Sequence, residues 1–230
     1  VRRRKSGGSG SDPKLIAAIL GAGALLFAAL FFSGVIGGGS ASPSSSTAAF
    51  LPRGSGCPTS QPAALAAGDT RIVTLKTEKG DIVIKVTGSW SPIAAGNFVA
   101  LASCGFYDGL TFHRTASLGD GSPFVDQGGD PAGDGSGGPG YTIQDEPVTQ
   151  TYKRGIVAMA RGSAPNSQGS QFFIVLSDAA AAPLASANTY AIFGEVTSGM
   201  DVADAIYQAS PGSDNVPNPV HMTTVTVANP

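Results

Sequence analysis

Residues 105–114 read Gly105-Phe106-Tyr107-Asp108-Gly109-Leu110-Thr111-Phe112-His113-Arg114, and the chain soon continues Phe124-Val125-Asp126-Gln127-Gly128-Gly129-Asp130. Glycines punctuate both blocks, which predicts short strands at 111–114 and 124–127 set between tight turns. Upstream, 71–76 (RIVTLK) and 81–86 (DIVIKV) are β-branched runs parted by Glu78-Lys79-Gly80, a hairpin with a glycine in its turn. Ile82, Ile84 and Val86 share one face of the second run. Ser91-Pro92 reads as an N-cap followed by proline at the first helical position, and Gly105 as the stop of that helix. Downstream, strands are expected at 156–159, 171–176, 191–196 and 223–227, with a second helix at 200–208. Many short strands divided by glycine-rich turns point to a sandwich or barrel with few helices.

Taken together and in order, these blocks resemble the cyclophilin-type peptidyl-prolyl cis/trans isomerases. The resemblance also runs through Asn97-Phe98-Val99-Ala100-Leu101, Gly169-Ser170-Gln171-Phe172-Phe173-Ile174, Phe193-Gly194-Glu195-Val196 and Gly199-Met200, and covers about 70–227. It implies a mainly β fold, a closed eight-stranded antiparallel β-barrel with two capping α-helices and a peptide groove on its outer surface. It implies catalysis of X–Pro isomerisation without a cofactor or metal, on proline-containing unfolded or flexible polypeptides, by a monomer.

That reaction turns about an amide whose resonance sets a barrier of ~18–20 kcal/mol. No bond breaks, so neither nucleophile nor metal is needed. What is needed is an apolar seat for the proline ring and a donor that favours the twisted amide over the planar one. By resemblance the catalytic residues are Arg114, the donor, since a guanidinium is always charged and presents a fork of N–H groups, and Gln127, which matches a glutamine that binds the substrate backbone. Phe124, Val125, Phe173 and Leu184 match the proline pocket, Gln171 a glutamine that binds substrate backbone, and Ala160 a residue lining the groove beside the pocket. Tyr190 stands where the family usually has a histidine and Pro183 where it has a tryptophan; Val125 replaces the usual methionine. The segment between Arg114 and Phe124 is about five residues longer than usual, which puts the pocket wall beside the arginine in question. These departures keep open a second reading, a cyclophilin-fold binding or chaperone module with weak catalysis.

Two other motifs fall away. Residues 133–140 (GDGSGGPG) lack the Lys-Ser/Thr of a phosphate loop and place a proline where its helix should start. The same run is similar to the serine motif of chymotrypsin-like proteases, but a glycine separates Asp134 from Ser136 and His113 lies too close for that fold. A flexible loop near the groove is the reading that remains. His113 is read as structural, because amide rotation transfers no proton.

Working outward, residues 15–36 form an uncharged run of 22 residues, the length of a bilayer-spanning helix, after Arg2, Arg3, Arg4, Lys5 and Lys14. The basic flank predicts residues 1–14 in the cytoplasm and everything after the helix on the far side. A cleaved signal peptide, with a secreted product, is the alternative reading of the same run. Residues 37–68, rich in Gly, Ser, Ala and Pro, read as a linker, and 69–230 as the folded domain. With Lys and Arg totalling 14 and a net charge of −2, the chain has no basic surface for nucleic acid. Two cysteines and two histidines cannot build a convincing zinc site. Beyond a membrane an even cysteine pair is more often bridged than free, so a Cys57–Cys104 disulfide is expected, docking the linker's end on the domain.

Overall fold

The computed structural model describes residues 56–230. The basic segment 1–14, the apolar run 15–36 and the linker up to residue 55 lie outside the described residues. Among the described residues no helix is long and apolar enough to cross a membrane.

The expected hairpin is β1 (Thr70–Thr77) and β2 (Gly80–Thr87), paired antiparallel from Thr70↔Thr87 to Thr77↔Gly80. Gly80 takes φ 131°, a conformation open to glycine and costly for other residues. The predicted alternation holds, with Ile82, Ile84 and Val86 fully buried on one face. The remaining strands are β3 (Arg114–Ser117), β4 (Pro123–Gly128), β5 (Ile156–Met159), β6 (Phe172–Val175), β7 (Ile192–Ser198) and β8 (Met222–Ala228). All eight join one antiparallel sheet in the order β3-β4-β6-β5-β7-β2-β1-β8.

The sheet curls into an open half-barrel, which corrects the expected closed barrel. Its edges, β3 and β8, meet through the segments that precede them. Phe112 N–H donates to Val220 O at 3.0 Å, Met222 N–H donates to Leu110 O at 2.7 Å, and Thr111 and His221 form an isolated bridge. The chain has already passed β8 when β3 begins at Arg114, so the strand expected at 111–114 is displaced to 114–117. Helices also number three among the described residues rather than two: α1 (Pro92–Ser103), α2 (Ala181–Ala187) and α3 (Met200–Ala209), with a 3₁₀ turn at Asp178–Ala180.

Proline begins α1 as expected, but Ser91 makes no side-chain cap. The carboxylate of Glu146 does that work from outside, accepting from Ile93 N–H and Ala94 N–H at 2.8 Å each, where orphan donors and the helix dipole favour an anion. The helix plugs the barrel with Phe98, whose ring meets Tyr107, Phe172 and Phe193 at centroid distances of 4.7–5.2 Å.

The Cys57–Cys104 disulfide is present, with Cα atoms 5.2 Å apart. It ties a strap, residues 57–68, across α1. Leu65 is buried and its N–H donates to Pro92 O at 2.9 Å, while Gln61 Oε1 accepts from Gln144 N–H at 2.9 Å. Gly96 lets the strap pass: a Cβ there would stand 2.2 Å from Ala63 O. The stretch read as the linker's end is thus packed on the folded unit.

Candidate active site

Two apolar clusters flank the sheet, one inside the half-barrel around Phe98 and one on its outer face. The outer cluster gathers Phe124, Val125, Ala160, Phe173, Leu184 and Tyr190, every apolar residue assigned to the site. Pairing explains the meeting. Phe173 of β6 lies beside Gln127 of β4 and Ala158 of β5, so it occupies the middle of the outer face. Leu184 arrives from α2, and the Tyr190 ring meets the Phe173 ring edge-on at 5.4 Å.

Phe124 and Val125 are sequence neighbours, and on a regular strand they would face opposite ways. The β3–β4 register shifts between Ala116↔Val125 and Ser117↔Pro123, leaving Phe124 unpaired in a bulge. Bulges re-aim side chains, and this one puts both residues in the same cluster. The long segment after Arg114 therefore leaves the pocket wall in place: it extends β3 and β4 into a hairpin.

Arg114 and Gln127 are cross-strand partners at the pocket's edge. Arg114 Nη1 donates to Gln127 Oε1 at 3.4 Å, and Gln127 Nε2 donates to Gln171 Oε1 at 2.9 Å. Gln171 Nε2 in turn donates to Gly135 O and Gly137 O at 2.9 and 2.8 Å. This relay fixes which way each amide faces. Gln127 is buried and Gln171 half-buried. At its other end Arg114 Nε donates to Asp214 Oδ1 at 2.8 Å, a carboxylate 86% exposed and so a weak, solvent-screened partner. Of the five N–H groups of a guanidinium, two donate to side chains among the described residues.

Residues 133–140, read as a flexible loop, are wrapped around the buried carboxylate of Asp130. It accepts from the N–H groups of Ala132, Asp134 and Gly135. Gly137 approaches so closely that a Cβ would stand 2.1 Å from Asp130 Oδ1. This loop walls a cavity of about 450 Å³ beside the outer apolar cluster, with which it shares Ala160; Gln171 lines the cavity too. Arg161 also lines the cavity and pairs with Asp145 at 3.2 Å. Pro183 is exposed in α2, so nothing replaces the missing tryptophan at that position. His113 is buried and burial holds its imidazole below the usual range against the pull of Asp130, consistent with a structural role. Among the described residues Ser136 hydrogen-bonds to Asp134, the residue two before it.

Sequence reasoning had no sign of Asp214, a hundred positions from Arg114 in a loop of turn formers, nor of the carbonyls of Gly135 and Gly137, which carry no side-chain signal.

An arginine fork beside an apolar cluster, backed by a glutamine relay, suits a reaction that needs a donor beside a seated ring and no proton transfer. The family model for "Cyclophilin type peptidyl-prolyl cis-trans isomerase/CLD" matches residues 72–227. The chain belongs to the cyclophilin family. Among its curated relatives is a peptidyl-prolyl cis-trans isomerase of Helicobacter pylori, 39% identical over 143 residues, covering 60% of this chain and 82% of that one. Peptidyl-prolyl cis-trans isomerase A of Mycobacterium tuberculosis is 37% identical over 179 residues, covering 69% and 93%. A Cryptosporidium parvum cyclophilin crystal structure superposes with a TM-score of 0.59 at 30% identity, covering 70% of this chain and 99% of that one. A second structure of the same Cryptosporidium cyclophilin, in the presence of the dipeptide Ala-Pro, gives the same score and identity over 69% and 99%. The cyclophilin described here is thereby a peptidyl-prolyl cis-trans isomerase.

Proposed function

We propose that this cyclophilin acts on X–Pro bonds of unfolded or flexible polypeptides outside the cytoplasm, held at a membrane by residues 15–36. In this reading the proline ring sits on Phe173 between Phe124, Val125, Leu184 and Tyr190. The unengaged part of the Arg114 fork donates to the substrate carbonyl and to the prolyl nitrogen as it pyramidalises, while Gln127 holds the fork and Gln171 with Ala160 guides the backbone. The contact between Arg114 and Gln127 at the pocket's rim carries the reading, since it aims a permanent cation along an apolar seat. The Ala-Pro dipeptide in the Cryptosporidium relative's structure supports proline-containing peptides as substrates. The extracytoplasmic part rests on the basic flank before an uncharged run and on the bridged cysteines, which suit an oxidising compartment.

A protease-coupled prolyl-peptide assay of the full chain tests the reaction. Accelerated isomerisation, lost with Arg114, is expected; binding of proline peptides without acceleration would favour the binding-module alternative.

A further inference from the structure

The hairpin that follows Arg114 carries a row of side chains the proposed reaction does not use. Thr115 and Ser117 point to α3: Thr115 Oγ1 donates to Ser210 O, and Ser117 Oγ meets Tyr207 Oη at 2.6 Å. Strand alternation puts Arg114 and Ala116 on the opposite face, the groove face, and Leu118, just past the end of β3, continues on that side. Ala116 is buried in the same cluster as the proline pocket, and Leu118 packs against that cluster while staying half-exposed. The hairpin is held firmly. Leu118 N–H donates to Ser122 O at 2.8 Å, Gly121 N–H donates to Leu118 O at 2.9 Å, and Asp120 Oδ1 accepts from Ser122 N–H at 2.9 Å.

Its place along the groove is defined by β6. Gln171, at the cavity, precedes that strand; Phe173, the pocket floor, is within it; Leu176, just after it, donates its N–H to Phe124 O at 2.9 Å. The span from 171 to 176 is roughly 17 Å of extended chain, enough to contact about five substrate residues. The cavity and the Leu118 shelf therefore lie at opposite ends of the groove with the proline seat between them.

We propose that Leu118, with Ala116 and Phe124, forms a second apolar subsite that reads a substrate residue within two positions of the proline, on the side away from the Gly-rich cavity. It favours a large aliphatic or aromatic side chain there. The shelf is continuous with the proline pocket, so its occupant is the substrate itself, and the inference rests on the isomerase reading above.

The test measures kcat/KM of the full chain on peptides around a central Pro, with Leu or Asp placed in turn at each of the two positions on either side. The wild type prefers Leu to Asp by about five-fold on one side of the proline, the scale of partly burying one leucine side chain. Leu118→Asp collapses that ratio to about one or inverts it, and Leu118→Ile retains it, with circular dichroism confirming the fold of each. An unchanged ratio in Leu118→Asp at every position overturns the subsite. So does turnover of all peptides by the wild type with no preference on either side. Turnover of none of them overturns the isomerase reading itself.

Discussion

Asp126 sits between Val125 and Gln127 on β4 yet faces away from the groove, toward α3. It is fully buried, and neither of its carboxylate oxygens has a hydrogen-bond partner among the described residues. Burial, then the nearby Asp204, pushes its pKa up to about 8. Asp204 is itself paired with Arg154 at 2.7 Å, so that arginine is already committed. Between the ordinary carboxylate range and pH 8 the folded state keeps a proton that the unfolded state has lost, so stability falls as pH rises through that window. The slope is at most about 1.4 kcal/mol per pH unit, and it vanishes above the folded pKa. Asp126→Asn removes the titration: in thermal melts from pH 5 to pH 9 its Tm advantage over wild type grows with pH and levels off above about 8. A difference constant across pH contradicts the assignment. That the apolar residues around Asp126 gather in one cluster was legible because their ordered blocks resemble the family's. Asp126 itself was passed over, since a lone Asp in a strand reads as surface until burial is known. The relay through Gln171 gives a second prediction. Gln127→Ala lowers kcat/KM by about ten-fold, less than loss of Arg114, because it frees the fork without removing its charge.

Among the elements, the strap 57–68 is the one whose attachment is least expected from its composition. Gly, Ser, Ala and Pro cannot bury much surface, and of residues 57–68 only Leu65 is buried. Besides Leu65 and the hydrogen bonds of Leu65 and Gln61, a covalent bond holds the strap. The disulfide joins positions 47 apart, and the chain-entropy model gives such a loop about 4 kcal/mol, less native-state strain. Cys57→Ser with Cys104→Ser should therefore lower Tm by several degrees, and a reductant should do the same to the wild type but not to the double variant. Equal Tm values with and without reductant would show that the disulfide adds nothing. Strand pairs β1–β2 and the start of α1 were legible because β-branched alternation and Ser-Pro are local signals. The position of β3, the bulge at Phe124 and the true cap of α1 were not. The bulge depends on cross-strand register, and the cap on Glu146, more than fifty positions from the helix end it serves. Helix α2 is short and alanine-rich, with a proline in its first turn, so no apolar stripe announces it.

At the scale of the whole molecule, one sheet does two jobs. Its inner face is filled by α1 and the aromatic cluster around Phe98, and its outer face carries the second cluster, the proposed proline seat, so substitutions there leave the inner core in place. The sheet's open seam lies between β3 and β8, and Arg114 is the first residue of the edge strand β3. If the proposed topology holds, a cysteine placed at Ser45 reacts with a membrane-impermeant thiol reagent in intact cells, and labelling only after lysis reverses it. The central claim is that Arg114 lowers the rotational barrier. The direct measurement is kcat/KM for a prolyl peptide, wild type against Arg114→Ala in the full chain, with circular dichroism and thermal melts alongside. The account predicts a fall of about 100-fold or more, the scale of losing a principal transition-state donor, with the fold intact. Near-wild-type turnover by a well-folded Arg114→Ala protein would contradict it.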